Sequence, residues 1–218
     1  MDLKKTIGCL HAHHSNIDYI EQAFNNFREM ELVHFVDPGL IQHAANGNVN
    51  LSCKVKEQVE WMASCGVDVI LITCTNYIAL LKEDELSLSI PIIKIDEPFF
   101  QSLCEVSQPQ IILFTNPATV DGTMERLYHY AKLHHKTINV QATVIDKTFE
   151  LIMQGNKQAY NNAILQYFRE IMGDGRLIAV AQLSMVEAAE QFAKEMDLEI
   201  THPLQSLVEF VVGSGYRQ

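Results

Sequence analysis

Cys74 lies where an apolar strand gives way to a helix, in the run Leu71-Ile72-Thr73-Cys74-Thr75-Asn76. The preceding stretch, Val67 to Ile72, is branched and apolar apart from Asp68. A thiol ahead of a helix start sits beside unpaired N–H groups, whose partial positive charge favours the thiolate. A thiolate is a nucleophile, or it takes a proton from carbon next to a carboxylate. Thr75 and Asn76 supply donors for the carboxylate oxygens. The same residues also suit a buried cysteine at a sheet edge, since free cysteine is commonly buried. Cys9, Cys53, Cys65 and Cys104 lack comparable polar context and read as packing or incidental residues.

A second polar cluster, His11-Ala12-His13-His14-Ser15-Asn16, follows an apolar stretch near the N-terminus. Parallel strands end on one side of a sheet, so this segment is expected near Cys74. His11 and His13 have a spacing found at metal-dependent hydrolase sites, and a zinc ion would need further ligands. His34, His43 and Asp37 are the available candidates, but no later set has convincing spacing. A metal-free pocket role for one of these histidines is the other reading. In Thr115-Asn116-Pro117-Ala118-Thr119, two hydroxyls and a helix start suit an anion, although capping explains Thr119 equally well. Glu187 follows the next candidate strand end, and helix phase does not settle where it points. No GxGxxG, Walker loop or nucleophile elbow occurs, which leaves nucleotide binding and serine hydrolysis without support.

The elements that must carry these residues alternate. Strands are predicted at 6–10, 32–36, 67–73, 90–95, 110–115, 137–143 and 177–181. Helices are predicted at 16–30, 52–65, 77–81, 98–106, 120–133, 157–172, 185–196 and 203–212. Asn46-Gly47-Asn48 marks an irregular excursion, and Asp37-Pro38-Gly39 reads as a turn. This βαβ order favours parallel sheets with helices on both faces. The series restarts near residues 95–100, which points to two α/β lobes. Val69 to Thr75 in the first half corresponds in position to Leu177 to Ser184 in the second. Both are buried strands that deliver small polar residues at the carboxyl end, where α/β sheets place ligands.

The 218 residues carry a formal charge of −11, which disfavours a nucleic-acid partner because backbone binding needs a basic surface. Five cysteines without a CxxC pair fit free thiols in a reducing compartment. No apolar run is long enough for a signal sequence or membrane span, so the expectation is a cytoplasmic protein with no membrane partner.

Together, Cys74-Thr75-Asn76, the Thr115 to Thr119 segment and Gln182-Leu183-Ser184-Met185 resemble the aspartate/glutamate racemase superfamily. That group also holds hydantoin racemases, maleate isomerases and arylmalonate decarboxylases, and the resemblance covers most of the chain. It implies an α/β fold of two pseudo-symmetric three-layer α/β/α lobes, with mainly parallel sheets and an interlobe cleft. Residues 1–97 would form the first lobe, completed by 201–218, and residues 98–200 the second. It also implies a small carboxylate substrate, no metal or organic cofactor, and a homodimer. By the same resemblance Cys74 is the first catalytic cysteine, with Thr75 and Asn76 as its carboxylate-binding neighbours. Ser15 and Asn16 stand at a substrate-binding pair, and Thr115, Thr119 and Ser184 help hold carboxylate oxygens.

The chain departs from that pattern at Leu183, where the family's second motif has cysteine. Inverting a stereocentre is simplest with a base on one face and an acid on the other. Two-thiol racemisation therefore requires His11, His13 or Glu187 to replace the missing group. The decarboxylase branch keeps its single thiol in the second motif, so it is not a direct match. The expected function is a cofactor-independent racemase- or isomerase-like enzyme for a small amino, hydroxy or dicarboxylic acid, with Cys74 as acid/base. Alternatives are a metal-dependent hydrolase using His11 and His13, and a non-catalytic small-carboxylate-binding protein.

Overall fold

A computed structural model describes residues 4–40, 43 and 51–213. The chain divides into two compact units, 1–97 and 98–218. The first begins with β1 (Lys5–His11), α1 (Asn16–Phe24) and β2 (Met30–Val36), and continues through α2 (Leu51–Ser64), β3 (Val69–Ile72), α3 (Thr75–Leu80) and β4 (Ile92–Lys94). Helix α4 (Asp96–Glu105) crosses the division. The second unit continues with β5 (Gln110–Phe114), α5 (Val120–Leu133), β6 (Val140–Val144), α6 (Thr148–Met153), α7 (Lys157–Ile171), β7 (Leu177–Val180), α8 (Val186–Met196) and α9 (Pro203–Gly213).

All pairings between these strands are parallel. The first sheet has the order β2-β1-β3-β4 and the second β6-β5-β7. Parallel strands are joined by crossovers and need cover on both faces, which is why their sequences are continuously apolar. Val69 to Ile72 and Gln110 to Phe114 are buried at every position. In the second unit, alternate residues of β5 and β7 feed two separate cores. Ile111, Leu113, Ile178 and Val180 pack with Tyr160, Ile164 and Phe168 of α7 and Phe192 of α8. Ile112, Phe114 and Ala179 pack with Phe99, Phe100 and Leu103 of α4 and Leu127 of α5. Helices on both faces of a parallel sheet give this unit three layers. Ser102 Oγ of α4 donates to Ser206 Oγ of α9 at 2.9 Å, and Ala179 bridges Thr201 just before α9.

Several boundaries differ from the sequence expectation. Helix α1 stops at Phe24 instead of reaching residue 30, and the two residues just beyond it, Asn25 and Asn26, have low helix propensity. Strand β6 begins at Val140, three residues late, where its pairing with Gln110 of β5 starts. Helix α6, launched from Lys147 at a φ of 61°, is not among the helices expected from sequence; at six residues its periodicity is too short to read. In β1, a Cβ at Gly8 would lie 3.1 Å from Val67 Cγ1, so glycine lets the segment before β3 pack close. The excursion expected at Asn46-Gly47-Asn48 lies outside the described residues. Among the described residues, no helix is long and apolar enough to cross a membrane.

Candidate functional site

Each sheet has a point where chain connections leave in opposite directions, between β1 and β3 in the first unit and between β5 and β7 in the second. The space beyond the strand ends at such a switch is the usual ligand position in parallel α/β sheets. His11 ends β1 and Cys74 follows β3. Thr115 follows β5, while Gln182 and Ser184 follow β7. The residues singled out from sequence thus fall at these two places.

In the first unit a polar seam crosses the sheet. His11 is fully buried, and its Nδ1 lies 2.8 Å from Thr73 Oγ1. Its Nε2 lies 2.8 Å from His34 Nδ1, and His34 Nε2 lies 3.0 Å from Glu21 Oε1. Strand register places Cys9 beside His34, and Cys9 and His11, two residues apart, share one face. Asn16 Nδ2 donates to Thr73 Oγ1 at 3.3 Å, and the Thr73 hydroxyl also reaches Leu10 O at 3.1 Å. Burial, then the neighbouring His34, pushes the His11 pKa from 6.5 to about 4, so the ring is neutral at pH 7.

Hydrogen counting orders the seam when each ring carries one proton. The Glu21 carboxylate must receive His34 Nε2–H, which leaves His34 Nδ1 bare. His11 then donates from Nε2, and the Thr73 hydroxyl donates to His11 Nδ1. One added proton reverses the direction: His34 donates from both nitrogens, His11 Nδ1 donates to Thr73, and the Thr73 hydroxyl turns to Leu10 O.

Cys9, His11 and His34 bring one ligand atom each within 4.8 Å of one another. Zinc holds nitrogen at about 2.0–2.1 Å and tetrahedrally, which sets two such nitrogens about 3.3 Å apart. The facing nitrogens of His11 and His34 are 2.8 Å apart, the spacing of a shared proton. The Cys9 thiol, pushed up to about 12 chiefly by burial, contacts Ile7 O at 3.7 Å. The arrangement fits a hydrogen-bonded network better than a metal centre. His13 takes no part in it: it is exposed, and its Nδ1 accepts from Ser15 N at 3.2 Å and from Ser15 Oγ at 2.8 Å. His43 is exposed as well. Asp37 forms a turn by accepting from Gly39 N at 2.8 Å.

Cys74 is half-buried, directly after Thr73 and at the N-cap position of α3. Burial raises its pKa, while the N–H groups of Tyr77 and Asn76 pull the other way with smaller effect. The sulfur makes no hydrogen-bonded cap, so those amides act on it as nearby partial charges rather than as close donors. Desolvation wins, and the group is a neutral thiol at pH 7. The thiolate character expected from the helix start alone is outweighed, because a local reading does not count the lost water. Thr75 and Asn76 begin α3 and are partly exposed and exposed, respectively.

The second unit has a seam of neutral groups. Gln182 Oε1 accepts from Thr115 N at 2.7 Å, Thr115 Oγ1 at 2.7 Å and Asn116 N at 3.1 Å. Gln182 Nε2 donates to Thr119 Oγ1 at 3.4 Å, and Thr119 Oγ1 donates to Asn116 O at 2.9 Å. Tyr160 OH bridges Thr115 Oγ1 at 3.0 Å and Ser184 Oγ at 2.7 Å. Leu183 is buried, and Glu187 is exposed and ion-paired with Lys157 at 2.5 Å. Sequence reasoning passed over Thr73, Glu21, Gln182 and Tyr160, and considered His34 only as a metal ligand. Thr73 and Gln182 were within reach of it, since each adjoins a residue already chosen. Tyr160 comes from a distant helix and carries no local signal.

No family model and no curated protein matches this chain. Solved structures do. An aspartate racemase from Picrophilus torridus superposes with a TM-score of 0.72 at 12% identity, over 96% of this chain and 94% of that one. An allantoin racemase from Klebsiella pneumoniae gives 0.68 at 20% identity, over 97% and 89%. A glutamate racemase from Francisella tularensis subsp. tularensis SCHU S4, solved in complex with D-glutamate, gives 0.64 at 14% identity, over 100% and 82%. At these identities the likeness is one of fold: the chain has the parallel α/β fold of the aspartate, glutamate and allantoin racemases.

Proposed function

We propose that this protein is a cofactor-independent racemase- or isomerase-like enzyme acting on a small amino, hydroxy or dicarboxylic acid, with Cys74 as the acid/base. The observation that carries the reading is the position and state of Cys74. It stands at the carboxyl end of β3 beside the switch in strand order, half-buried, with its thiol proton retained at pH 7. Such a thiol delivers a proton to a planar carbanion or enediolate. In the reverse direction the thiolate removes one, and it gains basicity from the same desolvation that makes it scarce. The seam from Thr73 through His11 and His34 to Glu21 begins one residue away and ends at a side chain that is 56% exposed. It acts on Cys74 through the backbone and Thr73, so these are positioning residues. The racemase fold of the solved neighbours supports the same class.

The test is hydrogen exchange in D₂O across a panel of amino, hydroxy and dicarboxylic acids, read by mass spectrometry and by optical rotation. The expected result is deuterium at the carbon next to a carboxylate in at least one acid. Cys74→Ser should lower that rate by about 10²- to 10⁴-fold, the usual contribution of a positioned acid/base. A panel in which no acid exchanges faster with the protein than with Cys74→Ser defeats the proposal. Exchange with retention, inversion or loss of CO₂ separates the chemistries.

A further inference from the structure

The hydroxyls of the second unit have fixed directions, and these specify what a ligand must offer them. Two backbone N–H groups, of Thr115 and Asn116, meet the Gln182 side chain at 2.7 and 3.1 Å. Backbone N–H only donates, so the atom facing both is the amide oxygen, and the usual ambiguity of an amide flip does not arise. That oxygen cannot donate, so the 2.7 Å contact with Thr115 Oγ1 consumes the Thr115 proton. The 3.0 Å contact between Thr115 and Tyr160 must then be supplied by the Tyr160 proton. In turn, the 2.7 Å contact between Tyr160 and Ser184 requires the Ser184 proton. Thr119 likewise commits its proton to Asn116 O. In each case the opposite direction would press two lone pairs together at hydrogen-bond distance.

From this order we infer that Ser184 and Thr119 present lone pairs, and so take a hydrogen-bond donor of the ligand rather than a carboxylate oxygen. The matching group is an ammonium, a hydroxyl or an amide N–H. Ser184 is the stronger of the two: it is partly exposed, it lies just beyond the end of β7, and its oxygen keeps acceptor capacity. The inference rests on the proposed reading of the protein as a small-acid enzyme and narrows it. The preferred substrates carry an amino, hydroxy or amide substituent, and an unsubstituted dicarboxylate is a poor ligand.

The experiment is calorimetric binding to the full-length protein of two sets of acids: aspartate, malate and succinate, and glutamate, 2-hydroxyglutarate and glutarate. One hydrogen bond of this kind contributes about 1 kcal/mol, more when the donor is charged. The substituted acid of at least one set should therefore bind about fivefold or more tighter than its unsubstituted counterpart. Ser184→Ala should reduce that ratio to less than about twofold. Tyr160→Phe is the sharper variant: it keeps Ser184 but releases its proton, so the unsubstituted acid should gain on the substituted one. A merely steric role for Ser184 would leave the Tyr160→Phe ratio unmoved. Equal binding of all three acids within a set that binds, or a ratio indifferent to both substitutions, overturns the inference while leaving the acid-enzyme reading intact. If no acid binds and none exchanges deuterium, that reading falls and this inference falls with it.

Discussion

The two units solve the same architectural problem with different chemistry. In both, two central strand ends are bridged by side chains, from β1 to β3 in the first and from β5 to β7 in the second. The first bridge is titratable: carboxylate, two imidazoles and a hydroxyl. The second is built from an amide and three hydroxyls around Gln182 and Tyr160. One added proton reverses the first seam, whereas the second holds one direction across the ordinary pH range. On the proposed reading, acid/base work falls to the first unit, next to Cys74, and fixed polar recognition to the second. Leu183, buried beside Gln182, adds no ionisable group to the second seam.

The sharpest way to break the contrast is to remove the proposed acid/base. Cys74→Ser should cost about 10²- to 10⁴-fold in exchange rate, while Ser184→Ala should leave exchange of a bound acid within about tenfold, the size of one lost hydrogen bond. Comparable losses at both positions, measured at saturating acid, would erase the distinction between the units.

Gln182→Leu tests the second seam through stability. It strips the acceptor from two N–H groups and a hydroxyl, and an orphaned buried donor costs about 1–3 kcal/mol. Partial rescue by water limits the total to about 3–4 kcal/mol, read from urea midpoints. Gln182→Glu should keep the stability at neutral pH, because a carboxylate accepts the same donors. Those donors hold the new carboxyl below its unfolded pKa of about 4.3, so its contribution is present above that pH and disappears in acid. An acid-sensitive second seam would then exist where the natural seam has no member that titrates in acid.

The natural acid sensitivity should come from the first seam and from His202, whose pKa burial also lowers from 6.5 to about 4. A histidine depressed in the folded state is neutral there while the unfolded chain takes up a proton. The stability it contributes is complete above about pH 6.5 and is lost as pH falls towards 4. For His11, fully buried, the loss is about 3 kcal/mol across that window. Unfolding midpoints measured from pH 7.5 to 4 should fall steeply, and His11→Asn should flatten the slope after its own fixed penalty. An unchanged slope would mean that the seam takes up its proton without strain.

Much of this was legible in the sequence. The continuous apolar runs Val69 to Ile72 and Ile111 to Phe114 announce strands buried on both faces, and the capping and turn residues between them announce parallel connections. Cys74, His11 and Thr115 were found because each closes such a run. The ionisation of Cys74 was not legible, because it depends on how much water the fold removes, and the neighbouring amides are only a local term. The partners of His11 and Thr115 were not legible either. His34 joins His11 through strand register, and Tyr160 reaches Thr115 across 45 positions of chain from the packed face of α7. Contacts of that range leave no periodicity or spacing to read.

The smallest expected effect discriminates best between the two seams. Glu21 is 56% exposed at its side chain, so its pairing with His34 adds little to stability, about 0.5 kcal/mol or less at neutral pH. Its larger role is directional, because it is the acceptor that orients His34 and, through it, His11 and Thr73. Glu21→Ala should therefore leave the urea midpoint almost unchanged while altering which nitrogen of His11 carries the proton. Nitrogen NMR of the two histidines near pH 7 reads this directly: Nε2–H on His11 in the natural protein, and a mixture of Nε2–H and Nδ1–H in the variant. A variant that keeps His11 wholly in the Nε2–H form would place the orienting force elsewhere, in the hydrogen bond that Asn16 donates to Thr73.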